Sequence, residues 1–219
     1  MKRVVITHGP GYEPIDEARR ITNISTGRLG TMLANGCAAA GLDVVAFRGE
    51  LATHPRACDS VNTRQFTTNA DLIDNLKSLD SRESIQFVFH AAALCDYQVA
   101  DVCSDSGKKI NANKIPSSKG NISLILEPSI KVLPQLGEIF PNASIVGWKY
   151  ELSGDRSDSI QAGVNQIDKV GSAGCVINGK AYGQGFGFLH PDKHLEHFNT
   201  VDQLVDWLIR WVISDQETK

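Results

Sequence analysis

Two periods alternate along the chain. Short continuous apolar runs at Val4 to Thr7, Leu42 to Phe47, Ile85 to Ala92, Ser144 to Trp148 and Gly174 to Ile177 have the length and composition of buried strands. Between them lie segments with helical spacing. One runs from Gly30 to Ala40 and closes at Gly41, where a C-terminal glycine belongs. A second, Asp71 to Leu79, collects Leu72, Ile73, Leu76 and Leu79 on one face, and a third covers Ser159 to Lys169. The last carries Val201, Leu204, Val205, Leu208, Trp211 and Val212 on one stripe, so Trp207 and Trp211 read as packing residues. This rhythm predicts an α/β fold: a Rossmann-like, mostly parallel twisted sheet with helices on both faces and right-handed crossovers, in a single domain over residues 1–219. The stretch from Asp101 to Asn121, rich in Ser, Lys, Gly and Asn, breaks the rhythm and reads as an extended flap or hairpin.

In such sheets ligands sit beyond the carboxyl ends of the strands. Four strand ends here deliver small or polar residues: the segment after Thr7, the run His90 to Tyr97, Lys149 with Glu151, and Asn178-Gly179-Lys180. The first is the most unusual. In a dinucleotide fingerprint a tight glycine turn joins strand to helix directly. Here Gly9 and Gly11 follow the strand, Glu13-Pro14 stands where the helix should open, and the helical pattern begins only after Thr26-Gly27. The insertion of about fifteen residues, judged against that fingerprint, carries Glu13, Asp16, Arg19, Arg20, Thr22, Asn23, Ser25 and Thr26. Long structured loops in compact domains tend to be functional. The order of strand, glycines, small polar residues and helix presents backbone N–H groups to an anion. His8, in the glycine segment, either touches phosphate or is a plain turn residue.

Composition narrows the class. The chain is 42% hydrophobic and 21% charged, with a formal net charge of −3, so no basic surface calls for nucleic acid or an anionic membrane. No apolar run is long enough to span a bilayer and the N-terminus lacks a signal-peptide pattern, which together predict a cytoplasmic protein. The five cysteines form no C-x-x-C pair, and the six histidines show no ligand spacing. No metal site of the protein's own is expected. Cys37 and Cys175 read as small core residues; Cys95 and Cys103 flank the candidate site without an evident base.

The segments Glu13-Pro14-Ile15-Asp16, Arg19, Ile21 to Gly30, Ala91 to Tyr97, Lys114 to Ser118, Val146-Gly147-Trp148, Asn178 and Phe186-Gly187 occur in one order over most of the chain. In these the sequence resembles the phosphopantothenate–cysteine ligases (phosphopantothenoylcysteine synthetases) of coenzyme A synthesis, in a stand-alone form without the decarboxylase half. The resemblance implies that CTP or ATP, with Mg²⁺, activates the carboxylate of 4′-phosphopantothenate as an acyl-nucleotide, releasing pyrophosphate. The amine of cysteine then displaces CMP or AMP. It also implies a homodimer whose flap reaches the partner subunit.

Site residues follow from the same resemblance. Asn23 would hold the acyl-nucleotide, Arg19 a carboxylate or phosphate, and Lys114 on the flap would neutralise charge in the transition state. Ser25, Thr26, Gly27 and Gly30 would bind phosphate at the helix N-terminus, with Gly9 beside them. Ala93 is small where the intermediate must approach. Asp96 would address the base or ribose, Trp148 could stack on the base, and Asn178 completes the nucleotide site. Three positions depart from the family pattern: Gly9-Pro10-Gly11-Tyr12 replaces a more polar turn, the gap after Asp96 is long enough that Lys109 competes with Lys114, and Lys149-Tyr150-Glu151 replaces a smaller segment. Ser117-Ser118 favours Lys114. Two other classes were weighed. A short-chain oxidoreductase would need a G-x-x-x-G-x-G turn after the first strand and a Tyr-x-x-x-Lys pair, and has neither. A non-catalytic nucleotide-binding protein would not need Arg19, Asn23 and Asp96 together.

Overall fold

The computed structural model describes residues 1–214. In chain order its elements are β1 (Arg3–Pro10), β2 (Tyr12–Pro14), β3 (Arg20–Thr22), α1 (Arg28–Ala39), β4 (Asp43–Gly49), β5 (Asn62–Phe66), α2 (Asn69–Lys77), β6 (Ile85–Ala93), β7 (Tyr97–Ser104), β8 (Ile122–Pro128), α3 (Leu136–Ile139), β9 (Ser144–Tyr150), α4 (Arg156–Val170), β10 (Gly174–Asn178), β11 (Phe186–Leu189), β12 (Leu195–Phe198) and α5 (Val201–Ser214). Among the described residues, an eight-stranded sheet has the order β12-β11-β10-β9-β6-β1-β4-β5, and β2-β3 and β7-β8 form two separate hairpins. The strands from β5 across to β10 are parallel, and β11 and β12 add an antiparallel edge. Counted along the chain, the parallel strands lie in the doubly wound order 3-2-1-4-5-6. The chain winds one way from β1 and the other way from β6, so the crevice belongs between the ends of those two strands.

Side chains alternate across the sheet as strand geometry requires. Val4 and Ile6 join Val44, Ala46, Phe87 and Phe89 beneath α1 and α5, while Val5 joins Val45, Phe47 and Val88 against α2 and α3. A third cluster, with Val164, Ile167, Cys175 and Ile177, fixes α4. Trp207 and Trp211 stack at 6.1 Å and meet Phe188, Phe87 and Phe89, which confirms them as packing residues. Cys37 and Cys175 are buried. α4 starts at an Asp155–Asp158 capping box and stops at Gly171 in the left-handed region.

Three differences from the sequence reading have physical causes. First, the expected glycine turn at His8 to Tyr12 is mostly strand. β1 runs on to Pro10, with Gly9 opposite Ala92 and Pro10 opposite Ala93, because the alanines of β6 are small enough to let two strands stay paired to their tips. Second, the hairpin at the flap starts earlier and ends later than Asp101 to Asn121, pairing Tyr97 with Pro128 at its base. Third, β5, β11 and β12 are short and only partly apolar, so periodicity missed them. His190 and His194 sit at the turn between β11 and β12, where His190 N donates to His194 O.

The meeting of β1 and β4 is tight. A Cβ on Gly49 would lie 2.1 Å from the Pro10 carbonyl oxygen, whereas one on Gly137 in α3 would meet nothing within 4 Å. Gly49→Ala should therefore lose about 3 kcal/mol of unfolding free energy, read by chemical denaturation. Gly137→Ala should be neutral or gain up to about 1 kcal/mol.

Candidate functional site

A cavity of about 650 Å³ opens at the switch between β1 and β6. His8 and Gly9 of β1 and Ala91 of β6 form its floor, Ser25 to Gly30 one wall, and Asn178, Gly185, Phe186 and Asn199 to Asp202 the other. Its size suits a nucleotide-sized ligand. Two helix N-termini face this space, and they differ. α5 satisfies its own first turn: Thr200 Oγ1 accepts from Gln203 N at 3.2 Å and Gln203 Oε1 from Asn199 N at 2.9 Å. α1 has no side-chain cap, and its N-cap position is Gly27 in the left-handed conformation, φ 78°. Arg28 N donates to Thr26 Oγ1 at 3.3 Å; the other first-turn N–H groups have no intrahelical acceptor and carry the positive end of the helix dipole.

Close packing sets that helix end in place. A Cβ on Gly30 would lie 2.1 Å from His8 Cβ, and one on Gly27 3.2 Å from His8 Nδ1. His54 N donates to Thr26 O at 2.9 Å, and buried Arg48 donates to the carbonyls of Ala52 and His54, so the loop after β4 braces the wall from behind. Arg28 lines this end of the cavity, Arg48 lies behind it, and Asp202 lines the opposite wall. Of the residues expected to bind nucleotide, Gly9, Ser25, Thr26, Gly27, Gly30 and Asn178 are brought together here.

The polar insertion does something different from lining the cavity. β2 and β3 make a small hairpin, and the turn joining them grips the flap. The Asp16 carboxylate accepts from Ile115 N at 3.1 Å, from Ala18 N and Arg19 N, and from Arg19 Nη1 at 2.8 Å. Arg19 Nη2 donates to Ile115 O at 2.8 Å, and Glu17 N to Asn113 O at 2.9 Å. Lys114 thus stands exposed in the middle of a clamped segment, anchored by buried Ile115. Lys109, the competing lysine, is tied to Asp101 on the hairpin itself, whose carboxylate holds the ammonium pKa above its usual value. Asn23 Nδ2 donates to Leu94 O at 2.7 Å, so the insertion also lies against the segment leaving β6. Ala93 accepts from Gly11 N at 3.1 Å.

Asp96 is exposed and pairs with Lys131. Trp148 is half-buried, packs on the core beneath α1 and α5, and does not line the cavity. Arg19, Asn23, Ala93, Asp96 and Lys114 likewise lie outside the cavity lining, on the segments that flank it. Cys95 is buried, and burial, followed by the charges of Glu13 and Asp96, raises its thiol pKa, which does not suit a nucleophile. Among the described residues no group of three or more His, Cys, Asp or Glu side chains could hold a metal ion.

The wall from Gly185 to Asp202 escaped the sequence reading apart from Phe186, because it depends on the unforeseen β11-β12 edge. One signal for it was present: Thr200-Val201-Asp202-Gln203 has capping-box spacing and marks a helix start at a ligand edge. A G-x-x-x-G-x-G spacing does occur at Gly179, Gly183 and Gly185, but it leads into antiparallel β11 and not into a helix.

A family model described as the DNA/pantothenate metabolism flavoprotein C-terminal domain matches residues 1–203. The chain belongs to this family. The coenzyme A biosynthesis bifunctional protein CoaBC of Thermococcus kodakarensis is 31% identical over 191 residues, a match covering 83% of this chain and 42% of that protein's length. The chain thus spans about two fifths of that curated relative. Among solved structures, the DNA/pantothenate metabolism flavoprotein of Streptococcus pneumoniae superposes with a TM-score of 0.85 at 20% identity, covering 98% of this chain and 99% of that one. A Cab2 mutant in complex with phosphopantothenate-cysteine superposes with a TM-score of 0.71 at 17% identity, over 99% and 89% of the two chains. These superpositions show a Rossmann-like fold for this chain.

The clamp makes a prediction. The N–H of Ile115 first, then those of Ala18 and Arg19 and the Arg19 guanidinium, hold the Asp16 carboxyl below the usual carboxylate range. Its contribution is therefore present above the unfolded-state pKa of about 4 and is lost as pH falls through the lower folded value. Limited proteolysis at pH 7 should cut Asp16→Ala in the flap between 105 and 120 several times faster than the unaltered chain, which should loosen only in acid.

Proposed function

We propose that this chain is the ligase domain that joins 4′-phosphopantothenate to L-cysteine, working through an acyl-nucleotide formed from CTP or ATP. Membership in the family supports the reading, as does the name of the Thermococcus relative, which places that protein in coenzyme A biosynthesis. The observation that carries it is the N-terminus of α1, opened by Gly27 and Gly30 onto a cavity at the topological switch, with Arg28 in its wall. An anion of several phosphates finds backbone N–H groups and a helix dipole there.

The chemistry asks for such a site. A carboxylate is a poor electrophile, so its oxygen attacks the α-phosphorus of the nucleotide and pyrophosphate leaves. The amine of cysteine then attacks the resulting acyl carbon, the C–N bond forms, and the nucleoside monophosphate departs with the former carboxylate oxygen. Both steps gather like charges, which positioned cations and N–H donors stabilise. Ser25, Thr26, Gly27 and Gly30 hold the phosphates, with Gly9 and Asn178 completing the cavity. Mg²⁺ fits as a companion of the nucleotide, bound mainly through its phosphates, because among the described residues Asp202 is the one carboxylate lining the cavity. Asn23 lies just outside, where its side-chain amide meets the acyl group, and Lys114 offers its ammonium from the flap. Arg19 acts as a positioning residue, since its guanidinium is already spent on Asp16 and Ile115. Ala93 and Asp96, on the segment leaving β6, would flank the rest of the nucleotide, whereas Trp148 packs on the core and is not available to stack on the base.

A homodimer fits the hairpin of β7 and β8, whose Tyr97, Ile125 and Leu126, with neighbouring Ile130, are exposed apolar residues. A cytoplasmic location accords with the absence, among the described residues, of any helix long and apolar enough to cross a membrane.

Pyrophosphate release that requires 4′-phosphopantothenate, followed by cysteine-dependent release of CMP or AMP, tests the reading, and running it with each nucleotide decides between CTP and ATP. Absence of both releases overturns it. Asn23→Asp should fold normally and turn over about a hundredfold more slowly, the loss typical of one oxyanion-stabilising donor. Undiminished turnover removes Asn23 from the site.

A further inference from the structure

His8 has a geometry that the phosphate reading of the cavity leaves unexplained. It sits near the tip of β1, between Arg48 of β4 and Ala91 of β6, and its ring is 1% exposed while lining the cavity. Its Nδ1 lies 3.1 Å from the carbonyl oxygen of Gly27. A carbonyl only accepts, so Nδ1 carries the hydrogen, and in the neutral ring Nε2 is a bare lone pair. That Nε2 is buried and, among the described residues, has no hydrogen-bond partner. The absence of a Cβ at Gly30, which would otherwise fall 2.1 Å from His8 Cβ, is what allows the first turn of α1 to lie directly on this ring. The helix end that attracts an anion therefore lies on a histidine ring whose Nε2 is a buried, unpaired lone pair.

A proton on Nε2 turns that lone pair into a donor. We propose that His8 is a phosphate-binding residue of this cavity that takes up one proton as the anion binds, with Nε2–H then donating to a phosphoryl oxygen while Nδ1–H stays on Gly27 O. The step moves one proton from solvent to Nε2 and makes or breaks no covalent bond. The inference rests on the cavity binding phosphate, and adds the residue and the linkage.

The surroundings supply the switch. Burial first, then the charges of Arg48 and His54, keep the free ring neutral, its pKa pushed down to about 4, although the bond to Gly27 O works the other way. The other charged side chains at the cavity are Arg28 on α1 and Asp202 on α5. A di- or triphosphate opposes all of the disfavouring effects, so the bound ring has the higher pKa. Anion affinity then falls by up to tenfold per pH unit as pH rises between the free and the bound value, and levels off above the latter.

Calorimetric titration of the full chain with inorganic pyrophosphate at pH 6, in two buffers of different ionisation enthalpy, counts the protons taken up. The same titration of His8→Asn gives the comparison, since the shorter amide keeps a donor toward Gly27 O and removes Nε2, and the ligand's own protonation is common to both. The unaltered chain should take up more protons, by as much as one, and its affinity advantage over His8→Asn should be at least about tenfold at pH 6 and shrink by pH 8. Equal proton uptake with tight binding in both proteins overturns the role of His8 and leaves the phosphate site standing. Failure of pyrophosphate to bind either protein overturns the site as well. Should His8→Asn not fold, ring ¹⁵N spectra of the unaltered chain decide: a buried imidazole nitrogen passing from lone pair to N–H on adding pyrophosphate supports the inference, and no such change refutes it.

Discussion

The contact between the first turn of α1 and the end of β1 is the constraint on which the rest of the site depends. Gly30 removes the side chain that would collide with His8, and Gly27 adopts the left-handed conformation that starts the helix without a capping side chain. With both, the start of that turn lines the cavity at the switch between β1 and β6, with Arg28 N held by Thr26 Oγ1 at 3.3 Å. The alanines at the end of β6 serve the same geometry by letting β1 stay paired as far as Pro10, so the floor of the cavity is paired strand.

The insertion between β1 and α1 acts on a second structure. Asp16 and Arg19 make polar contacts across 99 and 96 positions of chain, and together they hold Ile115 and so set Lys114 on a fixed stretch of an otherwise exposed flap. Ordering a lysine-bearing loop costs conformational entropy. A carboxylate accepting several N–H bonds offsets that cost locally, before any ligand arrives. The labour is divided: one part of the loop leads into α1 and the cavity wall, and the other organises the lysine.

Much of this was legible in the sequence. Long apolar runs bury on both faces, so Val4 to Ile6 and Ile85 to Phe89 could hardly be anything except central strands, and the stripe from Val201 to Val212 dictated a helix packed on the sheet. Glycine placement likewise marked the unusual start of α1. The short strands β5, β11 and β12 were not legible, since each is stabilised by its neighbours' backbone bonds and not by a strong pattern of its own. Their absence hid the wall from Gly185 to Asp202.

What the sequence by itself determined was the layered α/β architecture, the family motifs and the polar character of the insertion, because periodicity and residue type act locally along the chain. Tertiary structure alone decided which of those motif residues share a cavity. It drew Gly9, Ser25 to Gly30 and Asn178 together, set Arg19 on Asp16 and the flap, packed Trp148 against the core, and left His8 Nε2 buried without a partner beside an open helix end. The reason is physical: the direction of a side chain at a strand tip depends on which neighbours pack against it, and those neighbours come from segments tens of residues away along the chain.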